Sequence, residues 1–315
     1  QMCIRDSFGF FYSIFNKNLN KISVRTANFC GTDIFIPKIR QRRGEMMMFP
    51  YKYPLCIQLP PIDDLKAENT KRLFEFLQKM GFYGVELNLL DFEAIAPEEL
   101  VSYLAEFDLK VTMIASGGYA KKCGLSLSTG NEEIRMKTVA QVTKMLHYAE
   151  KLQAGVICGF IKGNSEGQKN ICIQQMEKSL AQLEQNGALE DAKLYLEATN
   201  HYEALLVNTM EEGNRFFQLA DAKIAVLPDT YHMNIEEKDM AAALVKYRNI
   251  YKNLHISDNN RYYPGFGSLA FERILRILDA FGYEGTISIE GRNMGTLEED
   301  IRHSCNYLRS VAEIA

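Results

Sequence analysis

Four absences narrow what this chain of 315 residues can be. Its seven cysteines (3, 30, 56, 123, 158, 172 and 305) contain no CxxC pair and no regular framework, the pattern of reduced thiols in a cytoplasmic protein. No apolar run reaches the ~18–20 residues of a membrane span. Neither GxGxxG nor GxxxxGK followed by Ser or Thr occurs, so the phosphate loop of an open, doubly wound sheet is missing. Positive charge is not in excess. A net charge of −4 and a pI near 5.9 argue against a nucleic-acid partner, which usually meets a basic face. What is present, 47% hydrophobic and 24% charged residues, suffices for a sizeable core.

The first seven residues, QMCIRDS, read as the translation of a transposon-type sequencing adapter, and Phe8–Glu45 is basic and aromatic without periodicity. Residues 1–47 are therefore expected to be a spurious or disordered extension, with translation starting at one of Met46–Met48. From Met48, 268 residues remain, close to the size of one α/β barrel. Within 48–315, short β-rich runs alternate with helical ones. The strand candidates are 55–59, 84–89, 110–116, 155–161, 193–199, 225–230, 253–257 and 285–290. The clearest helix lies over 132–153, where Val139, Val142, Leu146, Ala149 and Leu152 form an apolar stripe. Three helices end in a small residue before a strand, and GFYGVEL and GYEGTIS are near-copies. Glycine there suits the left-handed turn that leads the chain back to the sheet. Strict alternation implies a parallel sheet. The expected fold is a single (β/α)8 TIM barrel.

Four metal-ligand side chains stand at the ends of the last four strand candidates: Glu197, Asp229, His255 and Glu290, separated by 32, 26 and 35 positions. Leu194/Leu196, Val226/Pro228, Leu254/Ile256 and Ile287/Ile289 take the opposite parity. Strand side chains alternate, so the four polar groups project away from the aliphatic face, at the strand ends where barrel active sites sit. Two glutamates, an aspartate and a histidine meeting there form an oxygen-rich site for a divalent cation. His232 lies three residues beyond Asp229, and Arg261 six beyond His255. The loop after His255 carries Pro264, Gly265 and Gly267, and its backbone is expected to close over a small ligand. His147, alone on a helix, reads as surface or packing.

From about Tyr51 onward the chain resembles the sugar isomerase/epimerase superfamily of xylose-isomerase-like barrels, with its closest look to ketose 3-epimerases (D-tagatose and D-psicose 3-epimerase) and hydroxypyruvate isomerase. The resemblance rests on GFYGVEL, GLSLSTGNEEIR, LEATNHYE, PDTYHMNIEE, HISDNNR, PGFGSLAF and GYEGTISIEG. It implies a divalent metal, Mn2+ first and Mg2+ or Co2+ next, held by Glu197, Asp229, His255 and Glu290. It also implies that His232, Arg261 and Glu203 contact substrate oxygens. His201 stands where the family often has Arg. The reaction to expect is epimerisation of a ketose at C3 through a metal-stabilised cis-enediolate, with Glu197 and Glu290 as acid and base. Arg261 and His232 would stabilise the developing oxyanion. The alternatives on the same barrel are an inosose-type dehydratase, a hydroxypyruvate isomerase and a non-catalytic sugar-binding protein. An endonuclease IV-like nuclease, with three zinc ions, would need more than the five histidines of this chain (147, 201, 232, 255 and 303). The expected partner is a small sugar or sugar phosphate, with neither nucleic acid nor membrane, and the expected assembly is a homodimer or homotetramer. The loops at 86–91 and 116–128 are expected to set which sugar binds.

Overall fold

The computed structural model describes residues 53–312, apart from 63 and 190–192. The expected N-terminal extension and the start of the barrel domain lie outside the described residues. Eight strands follow one another: β1 (Leu55–Gln58), β2 (Gly84–Leu87), β3 (Lys110–Ala115), β4 (Gly155–Cys158), β5 (Leu194–Glu197), β6 (Ala225–Leu227), β7 (Asn253–Ile256) and β8 (Thr286–Ile289). Between and after them run α1 (Glu68–Met80), α2 (Pro97–Ala105), α3 (Gly117–Cys123), α4 (Glu132–Lys151), α5 (Lys169–Gln185), α6 (Met210–Leu219), α7 (Thr230–Glu236), α8 (Met240–Lys246), α9 (Phe271–Ala280) and α10 (Leu297–Ala312). All the strand pairs are parallel, in the order β6-β5-β4-β3-β2-β1-β8-β7. The last seam closes through a single bridge between Asp229 and His255, where the His255 amide donates to the Pro228 carbonyl at 2.9 Å. Two of the expected ligands thus also close the barrel, and the fold is the expected (β/α)8 TIM barrel.

Strand parity partitions the core. Leu194, Leu196, Val226, Leu254, Ile256, Ile287 and Ile289 join the main cluster between sheet and helices. Met113, Ala115, Ile157 and Leu227 form a small layer of their own, with Tyr195 against it. On α4, Val139, Val142, Leu146 and Ala149 are buried as the stripe requires, and each full burial of a Val or Leu contributes roughly 1.5–3 kcal/mol. Asn131 caps this helix, its side chain accepting from the Glu133 and Ile134 amides, while Glu132 and Glu133 face the positive end of the dipole.

The near-copies have a physical reason. Gly81 and Gly282 take φ of 80° and 71°, the left-handed conformation that stops α1 and follows α9. Gly84 and Gly285 stand where a Cβ would come within 2.6 Å of the Lys110 carbonyl and 2.3 Å of the Lys252 carbonyl. The third helix end differs. After α4 the left-handed position falls on Gln153, at φ 56°, and not on a small residue. The five described cysteines (56, 123, 158, 172 and 305) form no disulfide. No helix among the described residues is long and apolar enough to cross a membrane.

Candidate active site

The C-terminal ends of β5 to β8 deliver Glu197, Asp229, His255 and Glu290 to one point. One donor atom from each lies within 4.8 Å of the others; Glu197, Asp229 and His255 are buried and Glu290 is half-buried. Asp229 also caps α7, its Oδ1 accepting from the Tyr231 and His232 amides at 2.7 and 3.4 Å. Glu197 has room because residue 159 is glycine; a Cβ there would sit 2.2 Å from Glu197 Oε2.

A carboxylate that the sequence reading put in a loop and not at the cation site stands behind this group. Glu86, fully buried on β2, places Oε2 2.9 Å from His255 Nε2, while Glu290 Oε2 lies 2.7 Å from His255 Nδ1. The Glu86 contact lies off the N–H line, so it acts as a charge contact more than an aligned hydrogen bond. Glu86 Oε1 accepts from Asn253 Nδ2 at 2.9 Å and from the Ser288 hydroxyl. A carboxylate behind one ring nitrogen leaves the other for a metal, the usual arrangement of a ligating histidine. Three carboxylates with one such imidazole fit a divalent cation of the Mn2+ or Mg2+ type. Glu86 therefore belongs to the strand and to the support of His255, not to a specificity loop at 86–91.

The charges shape each other. Burial works against the ionised form of Glu197, Glu290 adds to it, and the carboxyl is pushed up to about 8 against the opposing pull of His255 and Lys162. Burial also resists the charge on Asp229, but Arg261, His232 and His255 hold that carboxyl well below the usual range. For His255, burial favours neutrality, yet Glu86 and Glu290 raise its pKa well above the ordinary imidazole value. Burial lowers that of His232. The Asn200 amide donates to His232 Nδ1 at 3.2 Å, so Nε2 carries the ring proton, 3.9 Å from Glu197 Oε1.

Arg261 joins the same cluster. Its Nη1 donates to Asp229 Oδ2 at 2.6 Å and its Nη2 lies 3.0 Å from Glu290 Oε1, with the guanidinium over the Tyr231 ring. Glu203 stands at the exposed rim, accepting from Asn200 Nδ2 at 3.1 Å. A cavity of about 150 Å³ opens over these groups, walled by Glu197, Glu290, His232, Arg261, Glu203, Lys162 and Asn88 among others. A second of about 390 Å³ shares Gln58, Asn88, Glu203, Arg261 and Glu290 with it and continues past Leu59, Tyr231, Tyr263 and Arg292.

The glycine loop after β7 departs from expectation. The amides of Gly265 and Gly267 donate to Asp258 Oδ2 at 3.0 and 2.9 Å, and that of Leu269 to Oδ1 at 2.9 Å. The loop closes over the protein's own buried carboxylate, which satisfies its amides internally, and not over a ligand. His147 is exposed on α4, as expected.

The sequence profile of the xylose isomerase-like TIM barrel matches residues 74–311. The chain belongs to this family. Within it, the 3-dehydro-D-guloside 4-epimerase of Escherichia coli (strain K12) is 32% identical over 238 residues, covering 71% of this chain and 88% of the relative. A probable ketose 3-epimerase of Synechocystis sp. is 26% identical over 255 residues, covering 78% and 85% respectively. The crystal structure of 3-keto-D-glucoside 4-epimerase from E. coli, in apo form, matches with a TM-score of 0.68 at 26% identity, covering 83% of this chain and all of that one. These xylose isomerase-like relatives are named as sugar epimerases.

Proposed function

We propose that this protein is a divalent-metal-dependent sugar epimerase that inverts the carbon next to a ketone, with Glu197 and Glu290 as the proton-transfer pair. One observation carries the reading: both glutamates line a single cavity and share, with Asp229 and His255, a set of donor atoms within 4.8 Å of one another. A C–H bond beside a ketone is too weak an acid for a carboxylate to deprotonate quickly unaided. A cation held by Glu197, Asp229, His255 and Glu290, Mn2+ in the first place and Mg2+ or Co2+ otherwise, would supply the Lewis acidity that stabilises the charge developing on the ketone oxygen. One glutamate then removes the proton and the other returns one to the opposite face. The His232 Nε2–H and the Arg261 guanidinium are donors for that oxygen and its neighbour, and Glu203, held by Asn200 Nδ2, takes hydroxyls at the rim.

Inversion at C3 of a ketose is the leading form of this reaction. Inversion at C4 of a 3-keto-glycoside is the second, favoured by the 32% identical relative and by the outer cavity of about 390 Å³, where a glycosidic group has space. Both move a proton on the carbon beside the ketone, so one residue set serves either. The test is turnover of D-psicose, L-ribulose and methyl 3-dehydro-D-guloside by Mn2+-loaded protein. Inversion that is lost on chelation and restored by Mn2+ is expected. Inversion indifferent to complete metal removal would contradict the metal assignment. Loss of water without inversion would move the protein to the inosose-type dehydratases.

A further inference from the structure

Lys162 ends the short helical turn Phe160–Lys162 after β4, with its side chain fully buried on the wall of the inner cavity. Glycines flank the turn on both sides, and neither position has space for a side chain. A Cβ at Gly159 would meet Glu197 Oε2 at 2.2 Å, and one at Gly163 would meet Ser128 Oγ at 2.1 Å. The turn is therefore wedged between Glu197 and the segment ahead of α4, which fixes Lys162 inward. Its Nζ donates to the Gly159 carbonyl at 3.2 Å and to Thr199 Oγ1 at 2.6 Å. Both acceptors are neutral, and together they take two of the three N–H donors of an ammonium. Burial lowers the pKa of this amine, while the charges of Glu197 and Glu203 work to keep it protonated.

A buried ammonium is costly unless its donors are satisfied, and a methionine would fill the same space without that cost. The cavity beside it belongs to a site read above as one for a sugar, whose oxygens are the acceptors such a donor lacks. We propose that Lys162 binds substrate, giving its third N–H to a sugar oxygen on the Glu197 side of the cavity and so selecting sugars that carry that oxygen. This inference rests on the epimerase reading of the site. A pocket built to hydrogen-bond a hydroxyl rejects the analogue lacking it, because its own polar group is then left unpaired.

The experiment is calorimetric titration of wild type and Lys162→Met with D-psicose, L-ribulose and methyl 3-dehydro-D-guloside. It is then repeated with mono-deoxy analogues of the sugar that binds most tightly. One analogue should lose roughly 10- to 10²-fold in affinity for wild type, the scale of one hydrogen bond to a charged group, and Lys162→Met should bind that analogue and its parent alike. Thr199→Val, which removes one of the two acceptors holding Nζ and leaves the Gly159 carbonyl, should reduce discrimination at the same hydroxyl and serves as the readout if Lys162→Met does not fold. A purely structural lysine would weaken all the sugars equally. Wild type that binds a sugar, with every deoxy analogue discriminated equally by wild type and variant, overturns the Lys162 assignment alone. Wild type that binds none of the three sugars overturns the epimerase reading, and this one with it.

Discussion

Replacing Glu86 by glutamine would separate the charge behind His255 from the shape of the site. The amide keeps the volume. If its oxygen stays on the His255 side, its NH2 faces Asn253 and Ser288, both donors to Glu86 in the native protein. Each can adapt, since a serine hydroxyl also accepts, and Asn253 Oδ1, buried without a partner among the described residues, can turn inward. Packing and polar satisfaction are thus nearly preserved, and the loss is the negative charge 2.9 Å from Nε2. Carboxylates in this position support metal affinity by 10- to 100-fold. Because the contact is off the N–H line, the lower end applies, about tenfold, or ~1.4 kcal/mol. Mn2+ titration by calorimetry measures it. In the metal-free protein the same pair stabilises the fold. Burial opposes both charges, but His255 holds Glu86 below its ordinary 4.5, and Glu86 helps hold His255 well above 6.5. Their contribution is present above the unfolded carboxylate value and below the unfolded imidazole value, and it fades as pH rises through the folded pKa of His255. Glu86→Gln should therefore lower the metal-free Tm most near about pH 6 and least in alkali. A variant that binds Mn2+ within twofold of wild type would refute the supporting role of Glu86.

Glu197→Gln and Glu290→Gln should each lower turnover by roughly 10² or more, since an amide carries no proton; near-wild-type rates with metal present would end the two-glutamate scheme. Arg261→Ala should lower kcat/KM by about 10²-fold, the scale of one lost oxyanion donor, with Mn2+ content near normal by elemental analysis. Loss of metal instead would make Arg261 a support of Asp229 and Glu290. Gly159→Ala should fold yet lose activity, because its Cβ would fall 2.2 Å from Glu197 Oε2 and must displace that carboxylate; full activity would show that the Glu197 position is not critical.

The barrel and the four converging side chains were legible because both rest on local rules. Alternation within a strand separates Glu197 from Leu196, and Glu290 from Ile289, without any knowledge of tertiary structure. What escaped depends on partners distant in sequence. Glu86 carries the same parity signal, between Val85 and Leu87, but its meaning comes from His255, 169 positions away. Lys162 would ordinarily be assigned to solvent, and only its flanking glycines hint otherwise. The amides of the Gly265–Gly267 loop look free for a ligand until Asp258 folds under them. A non-glycine in the left-handed conformation, such as Gln153, is chosen by the chain reversal after α4 and has no signature of its own.

Proton exchange in D2O tests the central claim most directly. The Mn2+-loaded protein, incubated with the keto sugar it turns over best and followed by NMR, should place deuterium on the carbon beside the ketone. Both epimers should become labelled, without elimination, and Glu197→Gln or Glu290→Gln should suppress the exchange. Inversion that leaves that carbon unlabelled, or exchange that persists in both glutamine variants, would contradict the account.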